Sequence, residues 1–246
     1  MEALWYSPLF WGLAIAGVIL TGISKSGFAG GAGVMAVPLL ALVMPVPAAA
    51  ALMLPLLIVM DAKTVHYYWR SASKSELLHI VPAALLGIGL GGWLMGSLSS
   101  DWLQRILGIF CVLFACWQPL ASILGRIPGG GWLWGAVSGV SSTLLHAGGP
   151  PINIYLVARA LPKPLWLATA SLFFAVMNLV KVIPYGLLGQ WKSELLLMAA
   201  LLLPAALVGV WLGHRIQRRI NERQFMQCCR VLLLLSGISL LVKGFI

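Results

Sequence analysis

Ionisable side chains within apolar stretches are costly in hydrocarbon, so they are candidates for function wherever they occur. Asp61, Lys63 and Lys181 are such residues in this chain. Lys181 follows Asn178 by three positions, so the two share a helix face, whereas Asp61 shares its face with Thr64 and not with Lys63. A carboxylate suits proton coupling, which makes Asp61 the candidate coupling residue, while Asn178 and Lys181 suit attraction of an anion. Lys63 lies close before Arg70, near the end of its apolar stretch, and is placed to snorkel to the interface.

Two glycine-rich interruptions supply a second set of groups. Gly27-Phe28-Ala29-Gly30-Gly31-Ala32-Gly33 follows Ser24, Lys25 and Ser26. His146-Ala147-Gly148-Gly149-Pro150-Pro151 follows Ser141, Ser142 and Thr143 and precedes Asn153. Each interruption opens a short apolar segment, and the first amides of such a half-helix are unpaired and favour anions. Glycine at 30, 31, 148 and 149 would let a guest approach the backbone, and the hydroxyls and amides nearby can donate to oxyanion oxygens. His146 is able to carry a proton near neutral pH. Lys25 has two readings, a ligand or a charge at the membrane edge. The glycines also have two, a site or close helix packing.

No metal or cofactor is expected. Cys111, Cys116, Cys228 and Cys229 lack metal-ligand spacing and read as packing residues, and neither a Walker loop nor a dinucleotide fingerprint is present. No catalytic residue is assigned.

The elements that must position these groups follow from composition. With 61% hydrophobic and 9% charged residues, too few polar side chains exist to cover a water-facing surface, since soluble domains carry about 25% charged residues. Long continuous apolar runs in a bilayer mean helices, because backbone groups in hydrocarbon must be satisfied within the segment. The expected fold is therefore an all-α polytopic membrane protein with the lipid bilayer as solvent. The net charge of +10 is ascribed to basic loops facing the cytoplasm and anionic lipid, not to nucleic acid. The first residues lack the basic region and cleavage pattern of a secretory signal, so the first apolar segment is expected to be retained.

The chain repeats itself. An offset of 117 aligns Gly22 with Gly139, Ser24 with Ser141, Gly31 with Gly148, Pro45 with Pro162, Pro47 with Pro164, and Val59-Met60-Asp61 with Val176-Met177-Asn178. An offset of 118 overlays Lys74-Ser75-Glu76-Leu77-Leu78 on Lys192-Ser193-Glu194-Leu195-Leu196. After a short insertion Pro82, Gly87 and Gly91 match Pro204, Gly209 and Gly213. Two repeats are expected, 1–127 and 128–246, each with five apolar segments: 9–24, 34–45, 48–69, 77–98 and 102–124, then 131–146, 150–161, 164–189, 195–213 and 225–245. The second segment of each is too short to cross a core of about 30 Å, so it is a half-helix or a re-entrant element.

An odd number of segments inverts the second repeat. The breaks assigned to one face then collect Lys25, Arg70, Lys74, Arg126, Arg159, Lys163, Arg215, Arg218, Arg219 and Arg223, against Arg105, Lys192 and Lys243 on the other. That bias makes the first face cytoplasmic and both termini periplasmic. Pro128-Gly129-Gly130-Gly131 reads as the hinge or linker between repeats.

The stretch Ser24 to Gly33 followed by Val37-Pro38-Leu39-Leu40, together with His146 to Pro151, resembles the sulfite exporter TauE/SafE family of bacterial membrane transporters. The resemblance covers essentially the whole chain. It implies export of small sulfur-containing anions such as sulfite or organosulfonates across the bacterial inner membrane without ATP, with Gly30, Gly31, Gly148, Gly149 and Pro150 at the paired loops. The symmetry is incomplete, since His146 faces Ala29 and Pro150 faces Gly33.

The expected function is a secondary transporter working by alternating access around these loops. A proton or sodium ion is the possible coupling partner, and a homo-oligomer is allowed. A passive anion channel is the alternative. A membrane-embedded enzyme using His146, Ser141 and Ser142 is disfavoured, because no carboxylate lies close in sequence to orient the histidine. A scaffold is disfavoured by the intramembrane Lys181 and Asp61.

Overall fold

The computed structural model describes residues 2–28, 30, 34–116, 121–216 and 222–245, and among them every regular element is helical. In chain order these are α1 (Glu2–Trp5), α2 (Pro8–Gly27), α3 (Ala36–Ala41), α4 (Val46–Tyr68), α5 (Lys74–Ser97), α6 (Ser100–Cys116), α7 (Ala121–Leu124), α8 (Gly130–Leu145), α9 (Gly149–Ala158), α10 (Lys163–Leu187), α11 (Ser193–Ile216) and α12 (Glu222–Phe245). Six of them, α2, α4, α5, α10, α11 and α12, are long and apolar enough to cross a membrane. The protein is a multi-pass helical membrane protein.

Local chemistry sets the boundaries. Ser7 caps α2 by accepting the Phe10 amide at 3.2 Å, with Pro8 at the first helical position, where its missing N–H costs nothing. Ser73 caps α5 by accepting the Glu76 amide at 3.3 Å. Pro45 precedes α4 and Pro162 precedes α10, with Pro47 and Pro164 in their first turns. The expected segments 34–45 and 150–161 are indeed short, six residues in α3 and ten in α9. The glycines expected as a linker do more than join: Gly129 takes a left-handed conformation, φ 72°, and Gly130 and Gly131 already belong to α8.

Helix directions follow from which residues touch. A methyl group added at Gly22 would lie 2.8 Å from the Val210 amide nitrogen, and Gly213 lies against Ile23 and Ser26, so α2 and α11 run parallel. Gly135 lies against Ile80, Gly139 against Gly87 and Gly91 against Thr143, so α8 and α5 run parallel as well. These contacts put bare backbone on bare backbone, as small residues do between membrane helices. The α5 and α10 starts meet where the Ser73 amide donates to Thr169 Oγ1 at 3.0 Å, and their ends meet at Gly92 and Pro184. The α4 end joins the ends of α2 and α11 through Tyr68, whose hydroxyl donates to the Ser26 carbonyl at 2.8 Å and lies 3.0 Å from His214 Nδ1. α6 and α12 are antiparallel, with Gln104 donating to the Leu240 carbonyl and Arg105 to that of Gly244.

The packing is related to itself by the 117 offset. α2 on α11 has its counterpart in α8 on α5, while α4 on α10 and α6 on α12 are each their own counterparts. The Tyr68 bond to the Ser26 carbonyl recurs, again at 2.8 Å, as Tyr185 to the Thr143 carbonyl. The main pairings join one half of the chain to the other, so neither half buries its helices alone.

Candidate functional site

α2, α4, α8 and α10 converge on a cavity of about 20 Å³, room for a water-sized guest. Asp61 lies fifteen residues into α4 and Asn178 fifteen residues into α10, and Asn178 Nδ2 donates to Asp61 Oδ2. Two positions that match under the repeat offset therefore touch, which places any axis relating the halves between them. The other Asp61 oxygen lies 2.6 Å from Lys25 Nζ, and both side chains are buried. Lys25 also sits 5.1 Å from the centre of the Phe174 ring, a cation–π contact that strengthens away from water. Asn178 Oδ1 is buried with no donor among the described residues, so it is open to a guest bearing a hydrogen.

Lys181 is fully buried, and its three N–H groups meet three acceptors: the Ser142 carbonyl at 3.1 Å, the Ser142 hydroxyl at 2.9 Å and His146 Nδ1 at 2.8 Å. The other ring nitrogen of His146, Nε2, lies 2.8 Å from the Ala50 carbonyl. A carbonyl only accepts, so Nε2 carries the hydrogen and Nδ1 is the lone pair that Lys181 uses. In this arrangement His146 is a neutral ligand of the lysine, rather than the proton carrier its type suggested. It caps α8 in the left-handed region, φ 51°, a conformation uncommon for a residue with a side chain and typical of places where the surroundings impose it.

With both lysines protonated and Asp61 ionised, this cluster carries one net positive charge. Lys25 has a carboxylate partner and Lys181 has only neutral ones. An anion 4 Å from that surplus charge gains about 4 kcal/mol at an effective dielectric of 20, and a cation is disfavoured by as much.

Of the residues singled out from the sequence, Lys25, Gly30, Ser142, His146, Gly149, Asn178 and Lys181 line the cavity, with Asp61 behind Lys25 and Asn178. Gly31 lies outside the described residues, as do Ala29, Ala32 and Gly33. Ser141, Thr143, Gly148 and Asn153 are not among the residues lining the cavity. Ser141 donates to the Val137 and Ala147 carbonyls, and Thr143 donates to the Gly139 carbonyl. The Gly148 carbonyl accepts from Ser138, and Asn153 Oδ1 accepts from Trp166. Ser24 is buried, and its carbonyl accepts the Phe28 and Gly30 amides. Lys25, counted among the loop charges in the sequence, is buried and lines the cavity, which leaves nine basic residues against three. Lys63 is exposed, beside Tyr67.

At α9 the helix-end amides contribute less than its glycine stretch suggested. Pro150 and Pro151 have no amide hydrogen, and the Ile152 amide bonds to the Gly148 carbonyl at 3.3 Å. In that first turn of α9, Gly149 is the cavity-lining residue that retains an amide hydrogen. Charge at this site comes mainly from lysine.

Leu57 and Phe174 also line the cavity and went unnoticed in the sequence. They match under the 117 offset, and each stands four residues before Asp61 or Asn178, one turn along the same face. Spacing from the polar residues could have found them.

A family profile described as Sulfite exporter TauE/SafE matches residues 13–240. The chain belongs to that family. A TauE/SafE chain is a membrane transporter, in keeping with six helices able to cross a bilayer and a buried ionisable cluster where four helices meet. A curated relative is the Probable inner membrane transporter protein TsaS of Comamonas testosteroni, 29% identical over 168 residues, covering 65% of this chain and 69% of the relative. No solved structure matches this TauE/SafE chain.

Proposed function

We propose that this protein exports small sulfur-containing oxyanions, such as sulfite or organosulfonates, across the inner membrane as a secondary transporter. The observation that carries the reading is the pair of buried lysines, Lys25 and Lys181, lining one cavity with a single carboxylate, Asp61, which pairs with Lys25 alone. Such a site attracts an anion and holds it with charge-assisted hydrogen bonds. Family membership and the relative's printed name as a transporter support the same class.

The helix directions favour inverted halves, 1–127 and 128–246. α2, α4 and α11 share one direction and α5, α8 and α10 the other, so α2 and α8, α4 and α10, and α5 and α11 are opposed in pairs. Asp61 and Asn178 then stand equally deep from opposite faces, at mid-membrane. The face bearing Arg70, Lys74, Arg159 and Lys163 is cytoplasmic and the termini are periplasmic. The cavity is too small for a sulfonate, so it widens to admit one, and opening to one face at a time around the α3 and α9 hairpins is alternating access.

In the substrate-free site Asp61 neutralises Lys25. An arriving oxyanion replaces Asp61 as the partner of Lys25, and the freed carboxylate takes up a coupling proton or sodium ion. The test is uptake of radiolabelled sulfite and of an organosulfonate into proteoliposomes. Saturable flux that responds to an imposed proton or sodium gradient is expected. Flux that neither saturates nor responds to a gradient would instead establish the passive channel, and absence of flux for every sulfur oxyanion would refute the proposal.

A further inference from the structure

A second cavity, about 480 Å³, lies at the far end of α9 from Gly149. The helix has ten residues, about 15 Å of rise, so the two cavities are separate. The walls of this one carry Arg126, Arg159 and His79, with Gly129 between them and the rings of Trp132 and Tyr155 at the sides.

The balance of charge here is uneven. The adjoining carboxylate, Glu76, is already engaged: it accepts the Tyr155 hydroxyl at 2.6 Å and Arg159 Nε at 2.9 Å. That bond occupies one edge of the Arg159 guanidinium, whose side chain is 53% exposed and keeps its terminal N–H groups for another partner. Arg126 is exposed and has no carboxylate partner among the described residues. His79 Nδ1 lies 2.7 Å from the Ser75 carbonyl, which fixes the hydrogen on Nδ1 and leaves Nε2 as its other polar atom.

The repeat supplies the comparison. The positions matching Arg126, Arg159 and His79 in the other half are Leu9, Leu42 and Leu197, while Glu76 matches Glu194. The same frame therefore carries leucine at all three places, so the fold does not demand polar groups there. A general excess of basic residues on one face accounts for their sign but not for their convergence on one cavity.

We propose that this cavity binds a tetrahedral oxyanion of the phosphate type, carried by the headgroup of an anionic phospholipid or free in solution. Arginine forks hold such oxygens in pairs, and basic pockets between membrane helices take anionic headgroups. The proposal is independent of the transport reading, because none of these side chains lines the central cavity.

The full chain in phosphatidylcholine nanodiscs is titrated calorimetrically with inorganic phosphate and, separately, with short-chain phosphatidylglycerol. The wild type, the Arg126→Gln/His79→Gln double variant and Lys181→Met are compared. Saturable binding to the wild type is expected, about tenfold or more weaker in the double variant, which loses the charged donor Arg126, and unchanged in Lys181→Met. Binding of phosphatidylglycerol alone identifies a lipid headgroup, whereas binding of phosphate identifies a free oxyanion. Both exposed side chains can be changed without disturbing packing, and an unaltered thermal midpoint verifies this. Absence of saturable binding of both probes to the wild type, or equal affinity in the double variant, would overturn the proposal.

Discussion

Replacing Lys181 with methionine is expected to lower sulfite uptake by at least about a hundredfold while the protein still inserts and elutes as the wild type. The side chain is fully buried and donates to the Ser142 carbonyl, the Ser142 hydroxyl and His146. Methionine keeps the length and removes the charge. The orphaned acceptors cost about 1–3 kcal/mol each, offset by relief of burying an ammonium, so the thermal midpoint moves little. The bound anion has no such compensation. Losing a buried charge partner costs about 3–5 kcal/mol, and each 1.4 kcal/mol is about tenfold in affinity. Initial rates in proteoliposomes against substrate concentration measure the loss, and wild-type rates in Lys181→Met would remove this lysine from the site.

The second large effect is expected at Asp61. Changing it to asparagine keeps the shape and hydrogen-bonding reach but leaves Lys25 buried without its carboxylate, which otherwise lies 2.6 Å away. An unpaired buried charge is costly, and an incoming anion relieves it. The variant should therefore bind sulfite more tightly, by about tenfold or more, and should exchange internal for external sulfite. It should not accumulate sulfite against a gradient, because the group that takes up the coupling ion is gone. Counterflow and gradient-driven uptake, measured on the same proteoliposomes, separate the two. Accumulation at the wild-type level with unchanged affinity would assign coupling elsewhere.

These two residues also show how far the sequence could be read. The helices were legible because hydrocarbon leaves a chain this apolar no other way to satisfy its backbone, and matching prolines at 45 and 162 mark where α4 and α10 begin. Asp61 and Asn178 were legible as equivalents of one another. Their contact was not, because a repeat offset relates positions without saying where the axis between them passes. Lys25 was ambiguous for a related reason: next to a glycine-rich break, its depth depends on how far α3 turns back along α2, which Gly17 fixes by packing on Ala36. Leu57 and Phe174 were hidden because one apolar residue among many carries no signal. At α9 few helix-end amides are open to a guest, because Pro150 and Pro151, in plain view in the sequence, have no amide hydrogen. His146 could be recognised as a polar group in an apolar span, but its service to Lys181 depends on α10 carrying that lysine to the C-terminal end of α8, and no local pattern encodes that.

Glu76 illustrates the same limit. Its matched partner Glu194 is exposed, whereas Glu76 is buried against Tyr155 and Arg159. Identical pentapeptides thus acquire different roles from what packs on them.

The central claim is that an oxyanion sits between Lys25 and Lys181, and the position of the anion itself tests it most directly. Selenite replaces sulfite with an atom that scatters anomalously, and crystals grown with it would show where the selenium lies. A peak within hydrogen-bonding reach of both lysine nitrogens and Asn178, lost in Lys181→Met, is the expected result. A peak only among the headgroups, or only in the Arg126–Arg159 cavity, would contradict it.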